Sequence, residues 1–207
     1  MAFPGSAAPA TYAAIVPIPE DRLDAPEAFR MGLESLRHAQ MRAEVALEEA
    51  PAPQRLAPFS AALTADVLQG DDELATGRFV LLHDPAGHDA WRGEFRIVTF
   101  VRAPLERDMA DDAALTAVGW SWLIEALDAH AAPFTAPSGT VTRVVSEHFG
   151  DLADRAGTSE VELRASWTAT DPYLGPHLEA WGDLLCQAAG LPPLPVGVSA
   201  IPRPRHH

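Results

Sequence analysis

The chain has 207 residues, and its 15 Lys+Arg residues against 29 Asp+Glu residues give a formal net charge of -14. Every cation is an arginine, because the sequence contains no lysine. This excludes a Schiff-base lysine and a lysine-bearing phosphate loop. The acidic balance argues against direct nucleic-acid binding, which needs a basic face. A hydrophobic content of 47% argues against global disorder and suffices for one domain-sized core.

Composition divides the chain into three parts. Residues 1–23 are rich in alanine and proline and predict a flexible segment. Residues 24–190 predict a single domain, and residues 191–207 predict a Pro-rich tail that cannot be regular.

The sequence predicts a cytoplasmic protein that does not enter the membrane. Cys186 is the only cysteine, so no intrachain disulfide can form. The first residues lack the basic start of a signal peptide. The apolar run 113–124 is too short to cross a bilayer, which takes about 20 residues.

The first element is predicted as a helix that begins near Asp24. Asp24 is a suitable cap, and Phe29, Leu33 and Leu36 recur on one helical face. Four strands are then predicted between residues 44 and 102. The run 77–83 is apolar on both faces and indicates a central strand. A turn is predicted at 84–87, where the sequence is Asp-Pro-Ala-Gly.

A helix is predicted over residues 111–129, and it is apolar around most of its circumference. Trp120 and Trp122 lie about 200° apart on this helix, so they cannot both face one sheet. Either a second layer of the same chain or a partner subunit must cover the other side. We therefore take Trp120 and Trp122 as candidate interface residues and predict a homodimer.

The last elements are two strands and a helix. Ser138 and Gly139 predict a turn before strands over 140–149 and 159–168. A helix is predicted over 174–189, with Gly190 at its end. The order α-ββββ-α-ββ-α favours an α+β fold with one mostly antiparallel sheet of about six strands and three helices.

Several long runs are similar to one known family. They are 50–56 (APAPQRL), 71–91 (DDELATGRFVLLHDPAGHDAW), 119–123 (GWSWL), 138–143 (SGTVTR) and 177–193 (HLEAWGDLLCQAAGLPP). Together they resemble the bacterial domain of unknown function number 3000, over about residues 24 to 202. The resemblance implies no activity, cofactor or catalytic residue. The order of elements is also similar to that of small acidic secretion chaperones, which are dimeric helix-on-sheet proteins, but a shared architecture implies no function.

Four arginines on predicted strands form a candidate ligand-binding set: Arg96, Arg102, Arg143 and Arg164. Residues 78–102 hold four arginines against three acidic residues, so this segment is positive within an acidic chain. If the set shares the exposed face of the sheet, it could bind a carboxylate or phosphate. The alternative is that these arginines form cross-strand ion pairs with Glu147, Glu160 and Glu162.

A candidate metal site comprises His83, Asp84, His88 and Asp89. Imidazole and carboxylate groups are ligands of zinc and manganese. The alternative is an ordinary hairpin turn with solvated polar side chains, since the spacing matches no established metal motif.

Candidate nucleophiles do not form a recognisable pattern. Ser121 is predicted to lie within a helix and not at a strand-to-helix turn, and Cys186 is predicted to be buried. The leading hypothesis is therefore a non-enzymatic binding or adaptor protein that uses no cofactor and binds a protein partner. The alternative is a small-molecule or metal-dependent enzyme that uses the arginine-bearing face or the loop 83–89. A third hypothesis is a factor associated with RNA machinery through basic protein partners.

Overall fold

The structure is a computed structural model that describes residues 24–106, 109 and 112–193. The predicted flexible segment 1–23 lies outside the described residues, as does the predicted Pro-rich tail from residue 194 onwards. The first residue of the helix predicted over 111–129 also falls outside them.

Within the described residues, nine helices and strands follow each other in the predicted order α-ββββ-α-ββ-α, which confirms the α+β fold. They are α1 (Glu27–Arg37), β1 (Val45–Ala50), β2 (Phe59–Gln69), β3 (Asp72–His88), β4 (Gly93–Pro104), α2 (Leu115–Ala129), β5 (Phe134–Ser146), β6 (Thr158–Ala169) and α3 (Gly175–Ala188). A short 3-10 turn, Gly150–Leu152, lies between β5 and β6.

All six strands belong to one antiparallel sheet in the order β1-β2-β3-β4-β6-β5. The first four strands are joined as consecutive neighbours. The chain then leaves the sheet through α2 and returns as β5, and β6 inserts between β4 and β5. As a consequence, β1 and β5 are the two edges of the sheet that the described residues form.

The three helices cover the same face of the sheet. α3 contacts β3, β4 and both other helices, while α2 contacts β5. The fully buried Trp167 of β6 and Trp181 of α3 belong to the core between the two layers. Burial of such large side chains stabilises the packed layers through the apolar surface that it removes from water.

The opposite face, here called the helix-free face, carries the alternate residues of each strand. On β4 these are Arg96, Val98, Phe100 and Arg102, while Phe95, Ile97 and Val101 are buried beneath the helices. This alternation follows from the two-residue period of a strand. The residues of this face decide what the sheet can present to a ligand.

Three local predictions about where elements begin and end are wrong. The N-terminal cap position of α1 is occupied by Pro26 and not by Asp24. The predicted turn at 84–87 is a bulge within β3, where Asp84 accepts a hydrogen bond from the Ala86 amide and Gly87 has φ 76°. The chain reverses after this bulge, at the residues that precede Gly93.

The turn predicted at Ser138 and Gly139 is also wrong, because both residues lie within β5. Gly139 is required there by close approaches from both β6 and α2. A Cβ built on Gly139 would clash with the backbone carbonyl of Arg164 and would lie 2.8 Å from the Cζ3 atom of Trp120. A residue that usually marks a turn is here selected by packing.

Candidate functional site

The four arginines of the predicted ligand site do not share one face of the sheet. Directly paired residues of antiparallel strands point to the same side. Arg96, Arg102 and Arg164 lie on the helix-free face, as their register between β4 and β6 shows. Arg143 is paired with the buried Val161 and lies on the helix-covered face, where its Nη1 donates to a backbone carbonyl just before α2. The predicted set is therefore not one cluster.

Arg102 and Arg164 form ion pairs with the glutamates of β6. Arg102 donates from Nε and Nη2 to the two carboxylate oxygens of Glu160, at 2.8 and 2.5 Å. Arg164 Nη2 lies 2.8 Å from the carboxylate of Glu162. The Arg164 guanidinium also lies over the Phe100 ring, 5.1 Å from its centroid. These contacts correspond to the ion-pairing alternative, because each charge is matched locally.

Arg96 differs from these two arginines because its side chain is bound only by neutral groups. It is 8% exposed. Nη1 donates to the carbonyl of Ala136 (2.9 Å) and to the hydroxyl of Thr168 (3.1 Å). Nη2 donates to the hydroxyls of Ser138 (3.0 Å) and Ser166 (2.6 Å), and also to the Ser166 carbonyl (3.2 Å). Burial lowers the pKa of Arg96, and no carboxylate within the described ranges forms an ion pair with it.

Arg96 also fixes the first part of β5. The pairing of β5 with β6 is interrupted between Thr135 and Ser138, and Ala136 there has φ 48°. A non-glycine residue with positive φ is uncommon and needs support from its surroundings. The bond from Arg96 to the Ala136 carbonyl supplies such support.

The residues of the predicted metal site are separated. His83 is 1% exposed and is stacked on Phe29 and Phe95, with ring centroids at 5.8 and 4.2 Å. This burial lowers the pKa of His83. His88 is exposed beyond the bulge and is stacked on Trp91. Asp84 is half-buried and Asp89 is exposed. Throughout residues 24–106, 109 and 112–193, no three His, Cys, Asp or Glu side chains converge in a way that could hold a metal ion.

The two tryptophans of α2 are both half-buried within their own subunit. Trp120 packs on Gly139 of β5. Because α2 contacts both β5 and α3, part of the apolar circumference of the helix is covered within the same chain. Trp120 therefore supports the edge strand from the helix-covered face.

The two edges of the sheet are very different. β1 has six residues, of which Glu48 and Glu49 are exposed acids. β5 has 13 residues, of which Arg143 is the only charged one. Most residues of its second half are exposed, including Val145 at 56%. Charges and short length protect natural edge strands from pairing. β1 has both forms of protection, and the second half of β5 has little of either.

A cluster that the sequence analysis missed joins α2 to α3. His130, at the end of α2, has Nδ1 3.3 Å from Glu179 Oε2 and Nε2 2.8 Å from Asp183 Oδ2. Hydrogen bonds that His130 donates to the carboxylates of Asp183 and Glu179 raise its pKa to about 9. The only sequence signal was the i, i+4 spacing of the two acids on α3, which places them on one helical face.

A cleft of about 320 Å³ lies where β4 and β6 meet the loop before α3. It is lined by Ala28, Arg92, Gly93, Glu94, Phe95, Thr168, Ala169, Thr170, Asp171 and Pro172. The hypothesis of a small-molecule or metal-dependent enzyme predicts a pocket in which several arginines or histidines converge. This cleft contains one arginine and no histidine among its lining residues.

The candidate nucleophile and acid-base groups are mostly enclosed. Cys186 is buried, and burial raises its pKa to about 12. His177 is buried and accepts a hydrogen bond from Trp167 Nε1 at 3.1 Å, and burial lowers its pKa to about 4. Ser121 donates to the Val118 carbonyl within α2. Cys186 and His177 are therefore shielded from solvent, and the Ser121 hydroxyl is bound to its own helix.

The comparisons with known proteins identify a family and nothing more specific. In the described part of the chain, no helix is both long and apolar enough to cross a membrane. Searches of curated proteins and of solved structures found no significant match. A family model described as "Protein of unknown function (DUF3000)" matches residues 25–199. That match covers every helix and strand from α1 to α3, and the chain accordingly belongs to the DUF3000 family.

Proposed function

We propose that the chain is a non-enzymatic binding protein of the cytoplasm that acts as a homodimer joined along the β5 edge. The single observation that carries this proposal is the second half of β5, a long and nearly uncharged edge strand. Such an edge presents a row of backbone N–H and C=O groups that a second strand can bind. Cytoplasmic location is supported by the one cysteine, Cys186, which is a free buried thiol.

Symmetry makes a second copy a suitable occupant of this edge. A two-fold axis perpendicular to the sheet brings two β5 strands together in antiparallel orientation. The helices of both copies then stay on one side of a continuous sheet, so neither helix layer has to move. The exposed Val145 near the end of β5 gains cover from the partner strand.

Charge also favours pairing at β5 over pairing at β1. The net charge of -14 makes two copies repel each other. β1 would bring Glu48 and Glu49 of both copies together, whereas β5 contributes only Arg143. The repulsion between two copies is thus smaller at the β5 edge.

The non-enzymatic part of the proposal is supported by the placement of the reactive groups. His177 and Cys186 are buried, and the described cleft does not assemble several arginines or histidines. Nothing in the described residues supports the alternative of an enzyme built on the loop 83–89 or on the four arginines. We therefore propose a binding role for the dimer and not an enzymatic one.

Sedimentation equilibrium of the full chain tests the dimer, with Thr140→Asp as the disruptive variant. Thr140 is exposed on β5 and is paired with Arg164, so an aspartate there has a favourable neighbour within its own subunit. In the dimer, two aspartates share one edge, and we expect dimerisation to weaken about tenfold or more.

Gln54→Glu is the matched control, because it adds the same charge at an exposed residue between β1 and β2. It should leave the dimer unchanged. A wild-type chain that stays monomeric at high concentration overturns the homodimer. A dimer that Thr140→Asp does not weaken overturns the β5 interface.

A further inference from the structure

Arg96 carries a buried positive charge whose hydrogen-bond partners are all neutral. The residue is more than nine-tenths buried, and the five partners of its guanidinium are two carbonyls and three hydroxyls. A buried charge that is bound only by neutral groups keeps a net positive potential around it. By contrast, Arg102 and Arg164 on the same face are matched by glutamates.

The hydroxyls around Arg96 leave one proton without an acceptor. Each of the three hydroxyls accepts a hydrogen bond from Arg96, so its own proton must be donated elsewhere. Thr168 donates to the carbonyl of Trp91. Ser138 and Ser166 lie 3.2 Å apart, and one of the two donates to the other. One serine proton therefore has no acceptor among the contacts of the described residues.

This proton lies at an accessible part of the helix-free face. Ser138 is exposed, and Ser166 is half-buried beside it. The β4 residue paired with Ser166 is Val98, which is 38% exposed. Phe100 follows Val98 on the same face of β4 and is half-buried. A hydroxyl donor next to a buried cation is thus flanked by apolar surface.

We propose that Ser138 and Ser166, polarised by Arg96, form a binding site for an anionic oxygen group on an apolar body. A carboxylate or phosphate oxygen accepts a hydrogen bond from the serine hydroxyl that has no other acceptor. Its negative charge also balances the positive charge of Arg96 at short range. Val98 then contacts the apolar part of the ligand. This site is narrower than the four-arginine set, because Arg102 and Arg164 are already paired and Arg143 lies on the other face. It uses side chains of the helix-free face, whereas the proposed dimer uses backbone groups of the second half of β5.

NMR titration of the full-length, isotope-labelled protein tests the site with three probes: inorganic phosphate, acetate and benzoate. Sodium chloride at matched ionic strength is the reference. We expect saturable shifts at the amides of Ser138 and Ser166 and at Arg96 Nε–H. If the natural ligand group is a carboxylate, benzoate binds about threefold or more tightly than acetate, because its ring contacts Val98. If it is a phosphate, inorganic phosphate gives the tighter binding.

Substitution of the two serines tests whether the free hydroxyl proton binds the anion. Ser138→Ala removes one hydroxyl but frees the proton of Ser166, so binding should weaken by only about threefold. Ser138→Ala/Ser166→Ala removes both donors, and binding should weaken by about tenfold or more. Ser60→Ala is the matched control, because Ser60 lies on the same face and already donates to the Pro53 carbonyl. It should bind as the wild type does.

Two results overturn the proposal. One is a response to all three probes that does not saturate and equals that of sodium chloride. The other is a saturable response centred on Arg102 or Arg164. Both are read from the wild-type protein, so the test stands even if the double variant does not fold. Neither result depends on the oligomeric state, which separates a failure here from a failure of the dimer.

Discussion

His130 shows how contacts between helices set the charge of a single residue. It is held between Glu179 and Asp183, and these carboxylates raise its pKa to about 9. Since the folded pKa exceeds the unfolded value, this contact stabilises the protein fully at pH values below about 6.5. The contribution is lost as the pH rises towards about 9, where the folded state releases the proton.

We predict that His130→Ala lowers the free energy of unfolding by about 1 to 2 kcal/mol at about pH 6. The deficit should become smaller at about pH 10, where only packing is lost. Urea denaturation at both pH values measures it. His38→Ala is the control, because His38 lies beside Glu34 but is exposed, and the cost should stay below about 0.5 kcal/mol. A deficit for His130→Ala that does not change with pH contradicts the ion-pair explanation.

Close approaches between helix and sheet operate at the scale of elements. Gly77 of β3 lies under α3, and a Cβ built on it would be 2.7 Å from Trp181 Cζ2 and 2.8 Å from Leu185 Cδ2. Both side chains are fully buried. α3 can therefore pack on the centre of the sheet only because this residue has no side chain.

Gly77→Ala should lower the free energy of unfolding by about 1 to 3 kcal/mol, since the added methyl overpacks a rigid part of the core. Gly119→Ala on α2 is the comparison. There the built Cβ meets only Val141, at 3.2 Å or more, and alanine favours the helix by about 1 kcal/mol. We expect this variant to stay within about 1 kcal/mol of the wild type. Chemical denaturation measures both variants. If Gly77→Ala and Gly119→Ala lower the free energy of unfolding equally, the close approach of α3 to β3 does not limit packing.

The net charge of -14 acts at the scale of the whole molecule. It is concentrated along the sequence, with runs of acids at 71–73 and 106–112. β5 contributes a single positive residue. Two copies joined at β5 still repel each other over longer distances, because the fields of exposed charges extend about 10 Å at moderate salt.

Salt should therefore strengthen the proposed dimer. We expect the dissociation constant to fall about tenfold between about 20 mM and about 300 mM sodium chloride, as screening reduces the repulsion. Analytical ultracentrifugation over this range measures the effect. A dissociation constant that rises with salt would instead indicate an interface held together by opposite charges.

The periodicity of apolar residues predicted most of the architecture, while residues typical of turns gave wrong predictions at two places. The alternation of β6 and the apolar run of β3 correctly identified strands, because burial on one or both faces leaves a period-2 pattern. The residues Asp84 to Gly87 and the pair Ser138 and Gly139 were interpreted as turns. In the structure they form a bulge and a close contact with Trp120, which are alternative uses of the same residue types.

The candidate sites were less predictable than the fold. The sequence indicated which strands carry arginines, but the face of Arg143 depended on the register between β5 and β6. Shifting a register by one residue moves a side chain to the other face. The hydroxyls around Arg96 come from two strands and lie up to 72 residues from it in the sequence. Short-range patterns contain no information about such contacts.

The sequence by itself determined the composition-dependent properties of this protein: its acidity, its lack of lysine, its element types and its α+β class. These follow from residue counts and from the local periods of burial, which each segment records in its own residues. The tertiary structure decided which strands became edges, which arginines were matched by carboxylates and which serine proton was left without an acceptor. Those properties depend on long-range strand pairing, because pairing brings together residues that are distant in the chain and assigns each side chain to a face.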